Sequence, residues 1–253
     1  MNNENTINDD FRSFVRNFHS INGMNKSNTS KRMSFNEKIS ILVPSCDSYS
    51  DLWPIFFELF WRFWPDCPLN VYLISNEKAF SDHRIRNIRV GEDKGWSSNI
   101  LMALSRIPEE YIFIFLEDLF ICSMVDQGTM NKIFDWILLN SPEYIKLSPY
   151  PKSIDKIFSR DFISKIDQED IYRTSVVLSV FRKDVLRDLL REGESAWDFE
   201  IYGTLRSKKY SNFYTVNKEI IKVVNGVIKG KWSYHSLNIL KSLGITIQSN
   251  SRP

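Results

Sequence analysis

The feature that most constrains the fold is a run of six consecutive apolar residues at 111–116, followed directly by Glu117 and Asp118. A run of this length, rich in isoleucine and aromatic residues, is typical of a strand that is buried on both faces. Such strands lie in sheets that helices cover on both sides. The run therefore predicts the central strand of an α/β domain, with two carboxylates at its end.

Segments with strand and helix character alternate around this run. Short apolar or β-branched stretches predict further strands at 39–43, 70–75, 87–90, 144–147, 175–181 and 219–224. Apolar residues at helical spacing, with Pro or Asp near some starts, predict helices at 54–64, 96–107, 126–139, 183–191 and 196–206. The alternation predicts a single Rossmann-like α/β domain with a mainly parallel central sheet flanked by helices.

The first 38 residues differ in composition from the rest of the chain. They are rich in Asn and Ser and contain no apolar stretch typical of a signal peptide. Phe11, Phe14, Val15 and Phe18 have the spacing of one short amphipathic helix, and a partly disordered tail is the alternative. We therefore predict a polar leader at 1–38 and one domain at 39–253.

Charge and cysteine content exclude several classes of function. The 33 basic and 31 acidic residues give a net charge of +2, so no strong basic field is available to attract nucleic acid. Three cysteines without Cys-x-x-Cys spacing and three scattered histidines predict neither disulfides nor a zinc site. We expect a cytoplasmic protein with no nucleic-acid partner.

The most apolar stretch, at 53–64, bears on membrane association. It contains Glu58 and Arg62, and it is shorter than the roughly 20 residues that a transmembrane helix needs. It predicts a helix buried beside the first strand, and a membrane-surface module is the alternative. At most, we expect peripheral association with the inner face of the cytoplasmic membrane.

Polar segments follow two of the predicted strands, at 45–51 and at 117–118. In open α/β sheets, ligands bind beyond the carboxyl ends of the strands. Carboxylates at such a place can bind Mg²⁺ or Mn²⁺ together with substrate phosphates. Alternatively, they can accept hydrogen bonds from sugar hydroxyls. Because adjacent strand residues point to opposite faces, an ordinary strand end with solvated acids is the alternative.

Two later segments carry further candidates. Trp197 and Glu200 lie three residues apart on one face of a predicted helix. An apolar indole disfavours the charged form of a neighbouring carboxylate, which suits a general base. The alternative is an amphipathic helix with Trp197 and Phe199 in the core. Lys229 and Lys231 flank a glycine in a segment that predicts either phosphate binding or a basic turn.

Common nucleotide and hydrolase motifs are absent from the sequence. The loop after the first predicted strand has no glycine, so it lacks the turn with which dinucleotide-binding proteins approach a pyrophosphate. No Walker loop, Gly-x-Ser-x-Gly or His-Glu-x-x-His sequence occurs. These absences argue against a dehydrogenase, a P-loop enzyme and a serine hydrolase.

Several segments within 39–244, taken in order, match the sequence pattern of a known protein family. They are Val-Pro-Ser-Cys-Asp-Ser-Tyr-Ser-Asp-Leu-Trp-Pro at 43–54, Trp-Pro-Asp-Cys-Pro at 64–68, Gly-Trp-Ser at 95–97 with Leu101, Ala103 and Leu104, the Leu-Glu-Asp core of 111–120, Ser-Ala-Trp-Asp-Phe-Glu at 195–200, and 227–232. In this order they resemble a family of bacterial GT-A-type glycosyltransferases of surface-polysaccharide and O-antigen biosynthesis. The resemblance implies a GT-A-like fold, a nucleotide-sugar donor and a saccharide or lipid-linked saccharide acceptor.

The resemblance also implies roles for individual residues. Those expected to bind the donor are Ser45, Cys46, Asp47, Asp93, Trp96, Ser97, Asn99, Glu117 and Asp118. Those expected at the diphosphate leaving group are Lys229, Lys231 and Arg206. Trp197 and Trp232 are expected to stack on the acceptor or the sugar.

For catalysis, Glu200, or in second place Asp198, resembles the base of inverting members, which takes a proton from the acceptor hydroxyl as that hydroxyl attacks the anomeric carbon. Glu117 and Asp118 occupy the place of the usual Asp-x-Asp motif, but Leu119 stands at its third position, which is often the metal ligand. Two expectations stay open. Either Mn²⁺ or Mg²⁺ binds at Asp118, or basic side chains neutralise the leaving group without a metal.

Two other functions stay open as well. An inactive carbohydrate-binding or scaffolding protein of the same fold predicts that Glu117, Asp118 and Glu200 do not meet in one cleft. A sugar nucleotidyltransferase also uses an α/β sheet and carboxylate-bound Mg²⁺. Such an enzyme normally carries a loop rich in glycine and basic residues after the first strand, and 45–51 has neither.

Overall fold

The computed structural model describes residues 34–149 and 162–247. Its helices are α1 (Phe35–Lys38), α2 (Trp53–Phe63), α3 (Trp96–Leu104), α4 (Gln127–Asn140), α5 (Lys183–Leu189), α6 (Ala196–Ser207) and α7 (Tyr234–Ser242). Its strands are β1 (Ile39–Val43), β2 (Asn70–Ser75), β3 (Ile85–Arg89), β4 (Tyr111–Ile114), β5 (Leu119–Ile121), β6 (Tyr144–Lys146), β7 (Ile163–Lys165), β8 (Ser179–Arg182), β9 (Phe213–Val216), β10 (Val223–Asn225), β11 (Val227–Ile228) and β12 (Lys231–Trp232).

One large sheet, in the order β3-β2-β1-β4-β8-β6-β9-β7, forms the centre of the described structure. β3, β2, β1 and β4 are parallel neighbours, and so are β6 and β9. β8 is antiparallel to β4 and β6, and β7 is antiparallel to β9. Six of these eight strands therefore run in one direction, which confirms the mainly parallel central sheet. Two short ribbons, β5 with β10 and β11 with β12, lie outside it.

Helices cover both faces of the sheet. α2 and α4 contribute to one apolar core, and α3, α5 and α6 contribute to a second core on the other face. Because successive strand residues point to opposite faces, β1 supplies Ile41 to the first core and Leu42 to the second. The layered α/β architecture predicted from the apolar run at 111–116 is confirmed.

α2 is the aromatic stretch in which the sequence left a membrane-surface interpretation open. Pro54 lies in its first turn, where a missing backbone N–H costs nothing. Trp53, Phe56 and Phe60 are at most 2% exposed, and the Phe56 ring centroid lies 5.5 Å from that of Phe115. The buried-helix prediction is confirmed and the membrane-surface interpretation is wrong. No helix among the described residues is long and apolar enough to cross a membrane.

Some strands differ from their predicted bounds. The strand predicted at 175–181 begins only at Ser179, because Leu178 has a φ of +47° and the segment before it bonds to α6. The strand predicted at 219–224 begins at Val223, and the one predicted at 87–90 lies at Ile85–Arg89. No sequence pattern predicts β5, β7 or β9, each of which has only three or four residues.

The folded structure begins before the predicted domain boundary at residue 39. α1 precedes β1 directly, and the Phe35 ring packs on Phe134 of α4 with centroids 5.5 Å apart. The Ser34 N–H donates to the Glu37 carboxylate at 3.0 Å, which stabilises the start of this helix. The short helix expected around residues 11–18 lies outside the described residues.

Candidate functional site

The carboxyl ends of β1 and β4 open into a cleft of about 630 Å³, termed the main cleft. Its walls come from the loop after β1, the starts of α3 and α6, and the hairpin of β11 and β12. This is the edge at which open α/β sheets bind ligands. The site residues expected from the sequence that line the main cleft are Ser45, Cys46, Asp93, Trp96, Asn99, Glu117, Asp118, Trp197, Glu200 and Lys229.

A chain of hydrogen bonds fixes Glu117 at the floor of the main cleft. The indole Nε1 of Trp53 donates to Ser45 Oγ at 2.8 Å, and Ser45 Oγ donates to Glu117 Oε1 at 3.0 Å. Glu117 is 8% exposed, whereas Asp118 is half-buried. The carbonyl oxygen of Asp118 accepts a hydrogen bond from the N–H of Gly226 at 2.6 Å. The floor is thus tied to α2 on one side and to the segment before the hairpin on the other.

The wall at the start of α3 is organised around Asp93. Its Oδ1 accepts hydrogen bonds from the Gly95 N–H at 3.0 Å and from Asn99 Nδ2 at 2.8 Å. Gly95 has a φ of +88°, which favours glycine. Trp96 packs on Phe199, and its buried Nε1 has no hydrogen-bond partner among the described residues.

Glu200 lies on the opposite wall, on α6. Its Oε1 accepts hydrogen bonds from Ser175 Oγ and from the Val176 N–H, both at 2.9 Å. Within residues 34–149 and 162–247, Oε2 accepts no hydrogen bond. The carboxylate is therefore held in place through one oxygen.

A second cavity of about 360 Å³ adjoins the main cleft. The residues that line it are Leu119, Ser148, Tyr172, Ser175, Val177, Glu200, Val223 and Asn225. Leu119, Val177, Glu200 and Asn225 line both spaces, and of these four only Glu200 is ionisable. Glu200 therefore lies where a ligand in the main cleft would meet a second ligand.

The hairpin of β11 and β12 brings Lys229 to the mouth of the main cleft. Lys229 and Gly230 form its two-residue turn with φ of +52° and +79°, as in a type I′ turn. A Cβ on Gly226 would lie 2.4 Å from the Phe120 ring, so only glycine allows this close approach. Lys229 forms no ion pair with any residue that the structure describes. The turn thus holds a cation over the acidic floor.

Two residues expected to bind the donor are used elsewhere. The Asp47 carboxylate accepts hydrogen bonds from the backbone N–H groups of Asn76, Glu77 and Lys78, and closes the loop after β2. Ser97 is fully buried, and its Oγ donates to the Glu194 carbonyl oxygen at 2.8 Å. Neither residue lines the main cleft, so we correct both expectations.

The second-choice base and one expected phosphate ligand are also engaged. Asp198 accepts hydrogen bonds from the Ser195 N–H and Oγ at the start of α6, and these bonds hold the pKa of Asp198 below its usual range. A lowered pKa makes a weaker base. Arg206 donates to both oxygens of Glu194, at 2.8 and 2.6 Å, and to the Leu189 carbonyl. Both expectations are corrected, because neither side chain lines the cleft.

The remaining corrections concern β12 and α6. Lys231 is exposed and Trp232 packs on Phe120, and neither lines the main cleft, because they lie beyond the hairpin turn. Trp197 does line it but is 76% exposed, so the interpretation that buries Trp197 is wrong. Phe199, by contrast, is fully buried, as that interpretation expects. Because Trp197 is turned to solvent, its indole does not bury Glu200. The Glu200 carboxylate is held by its hydrogen bonds instead.

Sequence reasoning missed the segment that holds Glu200. Ser175 and Val176 bond the carboxylate, while Thr174 Oγ1 donates to the Glu200 carbonyl at 3.3 Å. The buried Arg173 donates to the Ser207 carbonyl at the end of α6. Ser175 to Phe181 is mostly apolar and rich in valine, which is typical of a strand, so the sequence contains no signal for the strap that 173–176 forms along α6.

The carboxylates at the floor permit only a limited metal site. Among the residues that the structure describes, no group of three His, Cys, Asp or Glu side chains is placed to hold a metal ion. Mg²⁺ and Mn²⁺ are often held by one or two carboxylates together with substrate phosphates. Asp118 fits that arrangement, in which a donor diphosphate supplies the other ligands.

No known sequence family and no curated protein matches this chain. Solved structures do match it. S. aureus TarS in complex with UDP gives a TM-score of 0.53 at 12% identity, over 73% of this chain and 59% of that chain. The mannosyltransferase PcManGT from Pyrobaculum calidifontis, in complex with GDP-Man and Mn²⁺, gives a TM-score of 0.52 at 12% identity, over 94% of this chain and 69% of that chain.

TarS in complex with UDP-GlcNAc gives a similar result, with a TM-score of 0.52 at 11% identity over 73% of this chain. The chain spans 57% of the length of that TarS chain. At identities this low, the similarity shows the fold. The chain therefore has the GT-A-like α/β fold that the sequence predicts.

Proposed function

We propose that the chain is a glycosyltransferase that moves a sugar from a nucleoside diphosphate donor to a hydroxyl group of a saccharide or lipid-linked saccharide. One observation carries the proposal: Glu200, Glu117 and Asp118 line the same cleft. An inactive protein of this fold gives no reason for them to meet. Structures with the same fold hold UDP, UDP-GlcNAc and GDP-Man, which supports a nucleotide-sugar donor here.

In the proposed complex the donor occupies the main cleft. Its nucleoside lies near Ser45, Cys46, Asp93 and Asn99. The diphosphate lies between the floor and the hairpin turn. Lys229 then provides a positive charge beside the bond that breaks.

Glu200 acts in this scheme as the general base of an inverting transfer. Oε2 takes the proton of the acceptor hydroxyl, and that oxygen forms a bond to the anomeric carbon from the face opposite the diphosphate. The bond between the anomeric carbon and the diphosphate oxygen breaks, and the nucleoside diphosphate leaves with the electron pair. The bonds to Oε1 from Ser175 and Val176 keep the carboxylate oriented at the boundary of the two cavities.

A divalent cation at Asp118 would supply a Lewis acid that stabilises the negative charge on the leaving diphosphate. Lys229 is the residue of this chain that serves the same purpose at the other side of the diphosphate. We further propose a cytoplasmic role in the synthesis of a bacterial surface polysaccharide, on the basis of the sequence resemblance.

Thermal unfolding with a panel of nucleoside diphosphates and nucleotide sugars tests donor binding, because a ligand that binds only the folded state raises the unfolding temperature by mass action. We expect one nucleoside diphosphate to stabilise the protein, with its sugar-bearing form equal or better. Repeating the scan with Mn²⁺ and with a chelator, in the wild type and in Asp118→Asn, tests the metal. If neither the chelator nor Asp118→Asn changes donor binding, a metal at Asp118 is excluded. If no nucleotide raises the unfolding temperature, the proposed function is refuted.

A further inference from the structure

The solvent-facing side of α6 carries a stripe of large apolar side chains. Trp197, Ile201 and Leu205 are 76%, 53% and 59% exposed. Their spacing of four residues places them along one line of the helix. The opposite side of α6 is also apolar, since Phe199 is fully buried in the second core. Surface helices normally turn polar residues to solvent, so this stripe calls for a covering surface.

The C-terminal part of the chain carries an unusual charge. Residues 220–253 contain five basic residues and no Asp or Glu, although the whole chain has a net charge of only +2. Lys231 is exposed on the hairpin and forms no ion pair with the residues that the structure describes. Beside it, Ile228 is 54% exposed. An exposed apolar side chain therefore lies in the hairpin between two lysines, Lys229 in sequence after it and Lys231 opposite it.

The stripe and the hairpin flank the same opening. Trp197, at one end of the stripe, lines the main cleft together with Ile228 and Lys229 of the hairpin. Of the two acids on α6, Asp198 accepts capping bonds from Ser195, and Glu200 accepts hydrogen bonds from Ser175 and Val176. One side of the cleft mouth is thus apolar and the other is apolar and cationic.

We propose that the stripe on α6 and the tip of the hairpin dock on the surface of an anionic lipid bilayer. Such a surface offers negatively charged headgroups and an apolar interior at the depth of a few side chains. Trp197, Ile201, Leu205 and Ile228 enter the interfacial region, where indole rings are favourable, and Lys231 pairs with headgroups. A second copy of the chain would cover the apolar stripe but would bring another cationic hairpin instead of negative charge.

In this arrangement the cleft mouth opens toward the membrane, so that an acceptor carried by a lipid reaches Glu200 without leaving the bilayer surface. The inference goes beyond the proposed function and does not depend on it. Vesicle binding is measured without any sugar transfer, so the two proposals fail separately.

Co-sedimentation of the full chain with vesicles tests the surface. We expect binding to phosphatidylcholine vesicles that contain phosphatidylglycerol, weaker binding to phosphatidylcholine alone, and a loss of the difference at high salt. The double variant Ile201→Gln/Leu205→Gln should lower the partition constant about tenfold. Lys231→Gln should lower it about fivefold, and only for the anionic vesicles.

The matched control is Leu139→Gln, which changes a leucine of α4 that is 58% exposed, close to the 59% of Leu205. This variant should bind vesicles like the wild type, and thermal unfolding should show all variants folded. Absence of wild-type binding to anionic vesicles, or an equal loss in Leu139→Gln, overturns the proposal. Sedimentation velocity that shows a wild-type dimer converted to a monomer by Ile201→Gln/Leu205→Gln assigns the stripe to a second copy instead, and likewise overturns it.

Discussion

Two glutamates at opposite ends of the sheet differ in how completely their oxygens are bonded. Glu109, before β4, is 2% exposed and accepts hydrogen bonds from Asn70 Nδ2 at 2.7 Å and from the Tyr72 hydroxyl at 3.3 and 3.2 Å. Tyr72 in turn accepts a hydrogen bond from Arg86. Glu200, at the carboxyl end, lines both cavities, and among the described residues only its Oε1 accepts hydrogen bonds.

The hydrogen-bond pattern, more than burial, distinguishes Glu109 from Glu200, the base in the proposed mechanism. At the amino end every polar group of the cluster has a partner, and burial raises the pKa of Tyr72, which keeps its hydroxyl protonated and able to donate. At the carboxyl end, within residues 34–149 and 162–247, Glu200 Oε2 accepts no hydrogen bond and Lys229 forms no ion pair. Groups that a fold leaves unsatisfied beside a cavity are available to a ligand.

The largest expected effect is that of Glu200→Gln. An amide cannot take a proton, so transfer to an acceptor, or to water when no acceptor is known, should fall by about 10² to 10⁴-fold. Donor affinity should stay near the wild-type value, because the base acts on the acceptor. Initial rates with the donor identified by thermal unfolding, beside calorimetric donor titration, measure both. Asp198→Asn, on the same helix, is the control and should transfer sugar normally.

Lys229→Ala should have the next largest effect. Loss of a charged contact to the diphosphate should weaken donor binding and slow transfer by about 10 to 100-fold. Lys231→Ala removes the same charge two residues away, outside the main cleft, and should leave donor binding unchanged. Equal losses in the two variants would mean that the hairpin acts through its overall charge and not through a contact of Lys229.

Glu109→Ala should affect stability rather than activity. The change leaves the buried Tyr72 hydroxyl without its acceptor, whereas Asn70 Nδ2 keeps its bond to the Asn36 carbonyl, and it should lower the free energy of unfolding by about 1 to 3 kcal/mol. Urea denaturation measures this loss. At a temperature well below unfolding, the transfer rate should match the wild type. A large loss of rate in the folded variant would contradict the separation of the two ends.

Ser175→Ala should have the smallest effect of the series. It removes one of two donors to Glu200 Oε1 and leaves the Val176 N–H in place. A single such bond contributes about 1 kcal/mol, so the maximal rate should fall about fivefold. The Michaelis constant for the donor should not change, since Ser175 does not line the main cleft. Ser175→Thr, which keeps the hydroxyl, should restore part of the rate.

Local patterns predict the layers, the central strand and the carboxyl edge of the sheet, whereas the family resemblance supplies most of the individual residues expected in the main cleft. The apolar run at 111–116 indicates burial, and the polar residues after it locate the carboxyl edge. Asp47, Ser97 and Arg206 could not be assigned correctly in this way. Each is a polar residue in a suitable segment, but its partners, such as Glu194 for Arg206, come from another part of the chain.

The strap at 173–176 is a second example of a feature that local sequence patterns do not predict. Thr174 and Ser175 form hydrogen bonds to residues of α6 that lie 30 and 25 positions later in the sequence. Nothing in the local pattern distinguishes them from residues of a strand. Likewise, the exposure of Trp197, Ile201 and Leu205 follows from the rotation of α6 on the sheet, since its sequence is apolar on both sides.

The ratio of transfer rates in Glu200→Gln and Glu109→Gln, measured at saturating donor and well below the unfolding temperature, is the most direct test of Glu200 as the general base. Both changes replace a carboxylate by an amide of the same shape. We expect Glu109→Gln to retain the wild-type rate and Glu200→Gln to lose at least about 100-fold. Rates that fall equally in the two variants, or a Glu200→Gln protein that transfers sugar normally, would contradict the assignment of Glu200 as the base.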